Sequence, residues 1–333
     1  MNIRERVLEF AKKAKGKIIF PEAFDIRVLS AAQKLTKNTI ASVVLPTDNV
    51  KEVEKIASDA FIDLTDIEII KIDLDLLNKN KIQEFIVARE KEGVSEQSSL
   101  ELLKNPLYFS LMYLKSGKCD ACVGGAVYDT ADVLKASIRI IGVADGIKLV
   151  SSYMLMIPPQ DHPIIREPVI FTDCAVNPDP QSFGLKDIAV ATVENFKKLF
   201  PGRQANVAML SFSTKGSAKN KILSKILEAT ELIKAHFAGQ DNINVDGELQ
   251  FDASVVAIVG KRKAPDSLVA GNANIFIFPN LNAGNIGYKI TERLAGFQAL
   301  GPIIQGLALP VSDLSRGSSV DDIYISSAIM LIK

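Results

Sequence analysis

Short apolar runs alternate with longer amphipathic stretches along most of the chain, and this alternation restricts the fold more than any other feature. "KIIF" precedes "DIRVLSAAQKL", "IASVVLP" precedes "NVKEVEKIASDA", "IEIIKI" precedes "LLNKNKIQEFIVAREKEG", and "CDACVGGAV" precedes "TADVLKASIRII". A short apolar run bounded by turn signals suits a strand buried on both faces. Apolar residues recurring at helical spacing suit a helix with one buried face. Repeated in this order, they predict a mainly parallel α/β sheet with helices on both faces. Asp25 reads as the N-cap of the first of these helices, and Gly93 as the end of the third.

The middle of the chain breaks the pattern. "KLVSSYMLMI" and "PVIFTDCAV" read as two strands separated by the Pro-rich "PPQDHPIIREP", the spacing of a long hairpin and so of an antiparallel or mixed element. Beyond it we expect a helix at "SFGLKDIAVATVENFKKLF", a strand at "ANVAMLSF" and a helix at "SAKNKILSKILEATELIKAHF". Strands at "ASVVAIV" and "NIFIFP" follow, then "LNAGNIGYKITERLAG" as a Gly-bearing turn into a helix. "IIQGLALPV" reads as strand or turn, and "SVDDIYISSAIMLI" as the closing helix. A chain of 333 residues exceeds what one hydrophobic core usually serves, so two domains are expected, with a change near Gly146.

Charge and cysteine usage exclude several classes. Lys plus Arg and Asp plus Glu number 39 each, so no global field draws the chain to nucleic acid or to an anionic membrane. No apolar run approaches the roughly 18 residues a membrane span needs. "MNIRERVLEFAKKAKGK" places Ile3, Val7, Phe10 and Ala14 on one helical face, unlike a secretory signal. Three cysteines (Cys119, Cys122 and Cys174), an odd number with no such signal, point to reduced thiols and a cytoplasmic protein. The pair in "CDAC" is spaced like half a zinc site, but residues three apart on a strand face opposite ways. There is no second C-x-x-C, and the two histidines, His162 and His236, are far apart, so no metal is expected. Neither histidine has a Ser or Cys partner at the spacing of a catalytic triad.

Open α/β sheets bind ligands at the carboxyl ends of their strands. Three loops fall there: "GGAVYDTADV", "PNLNAGNIGYK" and "SDLSRGSSVDD". In the last, Gly317 lets the backbone turn after Arg316, and Ser319 with Asp322 has the spacing of a capping box. A helix mouth attracts anions, and Arg316 adds a bidentate donor suited to phosphate. The acid serves either the cap or chemistry; the cation is not needed by a cap, although Arg316 with Asp322 could be a surface ion pair worth less than about 1 kcal/mol. Gly284 and Gly287 flank a helix start with Lys289 just inside, at neither Walker A nor G-x-G-x-x-G spacing, and an ordinary Gly-Asn turn explains them equally well. Gly124 and Gly125 permit close backbone approach, with Asp129 or Thr130 capping the next helix. Arg89 follows an apolar helical face and is either a solvated helix end or an anion contact. Together these loops favour an enzyme acting on a phosphate-bearing small molecule.

Four stretches, "FPEAFDIRVLSAA", "GGAVYDTADVLKASIRIIG", "FPNLNAGNIGYKITERL" and "GPIIQGLALPVSDLSRGSSVDDI", occur in the order found in the phosphate acetyltransferase (phosphotransacetylase) family, which the chain resembles over nearly its whole length. The resemblance implies an α/β fold of two domains with mainly parallel sheets and a cleft between them, like isocitrate and isopropylmalate dehydrogenases. Domain I would comprise residues 1–146 and 300–333, and domain II residues 147–299. It also implies a homodimer, acetyl-CoA, phosphate and acetyl phosphate as small-molecule substrates of a reversible acetyl transfer, and neither metal nor redox cofactor.

By the same resemblance, Asp322 matches the general base for the coenzyme A thiol, Ser315 a transition-state hydrogen-bond donor, and Arg316 the holder of phosphate. Arg89, Thr130, Tyr288 and Lys289 match substrate-binding positions. Ser318 stands where relatives often have Cys, Lys135 where Arg is common, and Asp129 where a small hydroxyl residue is expected, and an acid there would repel phosphate. A free thiol near pKa about 8.5 facing an ordinary Asp near about 3.9 costs roughly 6 kcal/mol if the proton moves completely, so transfer must accompany attack or the acid must be retuned. The rival readings are a phosphate butyryltransferase, a metal- and NAD-dependent decarboxylating dehydrogenase using Asp313, Asp321 and Asp322 as ligands, and a non-catalytic binding module; Ser315, Arg316 and Asp322 together in a single chain argue against the last.

Overall fold

The computed structural model describes residues 3–332. From the N-terminus the elements run α1 (Ile3–Ala14), β1 (Lys17–Ile19), α2 (Ile26–Lys37), β2 (Ser42–Thr47), α3 (Val50–Asp59) and β3 (Ile67–Lys71). Next come α4 (Lys79–Glu90), α5 (Glu96–Leu102), α6 (Pro106–Lys115), β4 (Ala121–Gly124) and α7 (Thr130–Ile140). A second series follows: β5 (Ser151–Ile157), β6 (Val169–Thr172), α8 (Ser182–Leu199), β7 (Ala205–Leu210), α9 (Ser224–His236) and β8 (Ile243–Leu249). It continues with α10 (Phe251–Val255), α11 (Ala257–Lys263), β9 (Ile275–Ile277), α12 (Leu281–Ala295) and β10 (Gln298–Gln305). The chain ends with β11 (Val311–Asp313) and α13 (Val320–Met330).

Contacts divide the chain into two compact units, one running to Asp145 and resuming at Leu307, the other Gly146–Gly306. The first unit holds a sheet in the order β11-β4-β1-β2-β3, with every pairing parallel. Its helices form for the reason the sequence suggests. In α2, Asp25 accepts from the backbone N–H groups of Arg27 and Val28, and Val28, Leu29, Ala31, Ala32 and Leu35 are buried along one stripe. The final helix α13 is apolar nearly all round and packs against both α1 and α2, as an all-apolar helix must. The helix α6 is of the same kind, burying Leu107, Phe109, Leu111, Met112 and Leu114. Lacking an amphipathic stripe, it was not expected from the sequence.

The second unit holds a mixed sheet in the order β10-β5-β6-β9-β7-β8. The expected hairpin is present: β5 and β6 pair antiparallel, with Met154 opposite Phe171. The strands β6, β9, β7 and β8 are parallel to one another. Phe171 and Phe276 pack edge to face at 5.3 Å within a core that also holds Met154, Met156 and Phe278. The helix α8 covers the sheet with Leu185, Ile188, Ala189, Val193 and Phe196.

Several expectations need correction. "ASVVAIV" is not a strand; it spans α10 and α11, because a short apolar run does not distinguish a strand from a buried helical turn. The edge strand is β8, disguised in sequence by Asn244, Asp246 and Glu248. Glu248 is 2% exposed and accepts from the Ser213 hydroxyl at 2.8 Å and the Gly216 N–H at 2.8 Å, so its carboxylate is satisfied inside. Gly284 and Gly287 do not flank a helix start; α12 is capped by Asn280 and both glycines lie within it. A Cβ at Gly284 would lie 2.1 Å from the carbonyl oxygen of Asp173, so that glycine permits contact between helix and chain. Finally, β10 pairs antiparallel with β5, which keeps residues 300–306 with the second unit.

Candidate active site

In the first unit, the loops leaving β1, β4 and β11 emerge at the carboxyl ends of three neighbouring parallel strands, where such sheets place their ligands. Glu22, just after β1, is 6% exposed. Its Oε1 accepts from the backbone N–H groups of Gly125 at 3.1 Å, Val127 at 2.6 Å and Tyr128 at 2.9 Å, and its Oε2 from Ala126 at 2.9 Å. Consecutive N–H groups of this kind make an anion-binding nest. The glycine-rich loop "GGAVYDTADV" therefore cradles a carboxylate of its own chain. Gly125 has φ +98°, and a Cβ there would stand 2.3 Å from Asp313 Oδ1 and 2.7 Å from the Leu314 nitrogen, so no larger residue fits.

Arg27, in the first turn of α2, joins the same three loops. Its Nε and Nη2 donate to the two carboxylate oxygens of Asp25 at 3.1 and 2.7 Å. Its Nη1 donates to the carbonyls of Arg316 at 2.7 Å and Ser318 at 3.1 Å, and Nη2 also to that of Ala126 at 2.9 Å. Burial works to raise the Asp25 pKa, but the bonds from Arg27 hold it below the ordinary carboxylate range. Reasoning from sequence passes over Glu22 and Arg27, although both lie in "FPEAFDIRVLSAA".

The segment Ser315–Asp322 matches its local expectation closely. Leu314 N–H donates to Gly124 carbonyl at 2.7 Å and fixes the start of the turn. Ser315 and Arg316 are exposed, while Ser318 is buried. Ser319 and Asp322 form the full capping box: Asp322 Oδ2 accepts from the Ser319 N–H at 2.9 Å and from its hydroxyl at 2.7 Å, and Ser319 Oγ accepts from Asp322 N–H at 3.2 Å. Asp322 Oδ1 makes no hydrogen bond to the described residues.

Arg316 pairs with Asp129 at 2.7 Å, and not with Asp322. The two side chains are 70% and 58% exposed, so the pair is worth less than about 1 kcal/mol and a phosphate can compete for the guanidinium. The unexpected acid at position 129 is thus the ion-pair partner of the cation. Asp129 precedes α7 as its N-cap residue without a side-chain capping bond, and Thr130 opens the helix.

The three aspartates considered as metal ligands go separate ways. Asp321 is bound by Arg4 and, at 2.8 Å, by Lys34; burial tends to raise its pKa, and these two cations bring it below the usual range. Asp313 is 1% exposed, and neither of its carboxylate oxygens has a partner in hydrogen-bonding geometry. Burial, aided by the Glu22 charge and opposed by the nearby Thr130 hydroxyl, pushes its pKa up to about 7. Among the described residues no cluster of three His, Cys, Asp or Glu is placed to hold a metal ion. Burial raises the thiols as well, pushing the half-buried Cys119 up to about 12 and the buried Cys122 and Cys174 well above the normal value.

The remaining expected site residues lie outside this group. Arg89 is near the end of α4, its side chain 12% exposed, 3.8 Å from Glu92, which Arg139 also approaches at 3.8 Å. Among the described residues it makes no bond to the Ser315–Asp322 segment. Tyr288 and Lys289 belong to the second unit, on α12, where Tyr288 packs against the aromatic core and Lys289 is exposed. Lys135 is exposed on α7.

Comparison with known proteins accounts for this combination of loops. The family model described as "Phosphate acetyl/butaryl transferase" matches residues 2–331. A phosphate acetyltransferase of Clostridium acetobutylicum is 41% identical over 333 residues, covering 100% of this chain and 98% of the relative. A crystal structure of a phosphotransacetylase from Streptococcus pyogenes superposes with TM-score 0.90 at 37% identity, covering 99% of this chain and 97% of the other. A Salmonella typhimurium protein provisionally named as a 4-hydroxythreonine-4-phosphate dehydrogenase shares the fold alone, with TM-score 0.55 at 10% identity over 95% of this chain and 99% of that one. Matched over nearly every residue, the chain belongs to the phosphate acetyl/butyryl transferase family.

Proposed function

We infer that the protein is a phosphate acetyltransferase, catalysing the reversible transfer of an acetyl group between acetyl-CoA and phosphate to give acetyl phosphate and CoA. Relatives 40–42% identical that cover 97–100% of the chain are named for the acetyl reaction, which favours acetyl over butyryl as the group carried. The observation that carries the catalytic assignment is the turn itself. An exposed hydroxyl and an exposed guanidinium stand at Ser315 and Arg316, and a capped carboxylate with one free oxygen stands at Asp322.

Asp322 Oδ1 takes the thiol proton of CoA as sulfur attacks the acetyl carbonyl of acetyl phosphate. Bond formation between sulfur and carbon is matched by breaking of the bond from carbon to the phosphate oxygen, and phosphate leaves with the electron pair. Fixed donors aimed at developing charge are usually the largest catalytic contribution. Ser315 Oγ supplies one, and Arg316 exchanges Asp129 for the departing phosphate. Thr130 and Arg89 are substrate contacts of the first unit. In the second unit, Tyr288 and Lys289 offer a hydroxyl and a cation as substrate contacts. Atoms and charges balance without metal or redox cofactor, so none is assigned.

We further assign a homodimer in the cytoplasm. An apolar stripe on α12, with Ile286, Ile290 and Leu294 56%, 52% and 84% exposed, supports self-association. Sedimentation of the purified protein tests it, and a monomer at working concentration removes the assignment. Purified protein supplied with CoA and acetyl phosphate is expected to produce thioester absorbance without added metal. Absence of thioester, or faster turnover with butyryl phosphate, overturns the reading.

A further inference from the structure

We propose that Arg27 is a positioning residue for the acetyl transfer, holding the Ser315–Ser318 turn in its reactive shape through the carbonyls of Arg316 and Ser318. The proposal rests on the assignment of Ser315 and Arg316 to the chemistry. All five N–H donors of the Arg27 guanidinium are committed: two to Asp25, two to the turn, and one to Ala126 in the loop after β4. Its charge is compensated by Asp25, so it has neither a free donor nor a free charge for a substrate phosphate. Arg316 differs in both respects, being exposed and, among the described residues, held only by an exposed acid.

Leu314 N–H anchors only the start of the turn, on the Gly124 carbonyl; beyond it the turn needs such a support because its other bonds are local or weak. Gly317 N–H reaches Ser315 Oγ at 3.2 Å and Ser318 N–H reaches the Ser315 carbonyl at 2.8 Å, both within the turn itself. The Arg316 pair with Asp129 must open for phosphate to bind. With that pair open, Arg27 still grips the backbone on both sides of Gly317, and through Ala126 it sets that grip against the β4 loop. A planar fork that serves three carbonyls at once cannot be replaced by the single point of a lysine ammonium. Displacing a reacting group by about 1 Å can cost on the order of 100-fold in rate.

Kinetics of Arg27→Lys and Arg27→Ala, in the full-length enzyme with CoA and acetyl phosphate, test this. The expected result is a fall in kcat on the order of 100-fold with KM for both substrates little changed, in a protein whose thermal melt remains cooperative. Guanidinium ion, below denaturing concentration, should restore turnover to Arg27→Ala, whereas methylammonium should not. Wild-type turnover in folded Arg27→Lys overturns the proposal, as does an effect confined to KM or a loss that guanidinium does not restore. If both variants fail to fold, the role is structural only and the proposal is equally overturned. Arg316→Gln assayed alongside separates the two levels. Its retention of full turnover removes the site assignment itself, while its inactivation beside a fully active Arg27→Lys removes the clamp alone.

Discussion

Two segments, Ser315–Asp322 in the first unit and Asn280–Lys289 in the other, share residue types. Each has a polar N-cap, a glycine and a cation, the glycine and cation lying ahead of the helix in the first and inside it in the second. In the structure they are opposites. Gly317 lies in an exposed turn ahead of the helix, where a Cβ would meet nothing closer than 3.8 Å. Gly284 lies inside α12, pressed against the backbone of Asp173. One glycine belongs to an exposed turn, the other to a packed interior. What tells them apart is the direction of their neighbours' hydrogen bonds. Around the first, Glu22 and Arg27 spend their polar atoms on loop backbone; around the other, a helix rests directly on the chain.

The comparison can be broken at its chemical end first. Asp322→Asn keeps an oxygen able to cap Ser319 but removes the base, so turnover should fall by about 100- to 10,000-fold with CoA affinity unchanged in a direct binding measurement. A near-normal rate would return Asp322 to a purely capping role. Arg316→Gln should cost about 100- to 1,000-fold and raise the acetyl phosphate concentration needed for half-maximal rate, measured by thioester formation.

Asp313, buried beneath the same turn, gives a pH-dependent test. Below about pH 4 both folded and unfolded chains hold its proton and it contributes nothing. As pH rises from about 4 to about 7, the unfolded chain releases that proton while the folded one retains it, so stability declines, by on the order of 4 kcal/mol in all. Above that the cost is constant. Asp313→Asn should abolish this part of the decline, so that denaturant unfolding of variant and wild type diverges across the window in favour of the variant. Parallel curves would show that Asp313 ionises as freely in the fold as out of it.

The smallest effect belongs to the Asn280–Lys289 segment. Gly284→Ala should destabilise by about 1–3 kcal/mol, because backbone must move to admit the methyl group. Gly287→Ala, which meets the Phe278 ring at 3.0 Å, should cost less in the same urea titration. If Gly284→Ala instead lowered turnover in a fully stable protein, the packing role would be wrong and the segment would belong with the Ser315–Asp322 turn.

How much of this is legible in the sequence depends on the range of the interaction concerned. Asp25, Ser319 and Asp322 cap residues two or three positions away, and those caps can be read from spacing alone. The strand β8 escapes because Asp246 and Glu248 resemble solvent-facing residues until their partners are known. The helix α6 escapes because a fully buried helix has no polar face to betray its period. Of the site, resemblance picks out Ser315, Arg316 and Asp322. The pairing of Arg316 with Asp129 depends on which loops the sheet order brings together.

The sequence by itself determined most of the strands and helices, caps such as those at Asp25 and Ser319, and the presence of a cation and an acid beside the last helix, since each is set by neighbours within a turn or two of chain. Only the tertiary structure decided that the glycine-rich loop is filled by Glu22 and that Arg27 braces the turn. Those bonds join residues brought side by side by the order β11-β4-β1, and a buried donor or acceptor takes the partner that folding delivers to it, however distant along the chain.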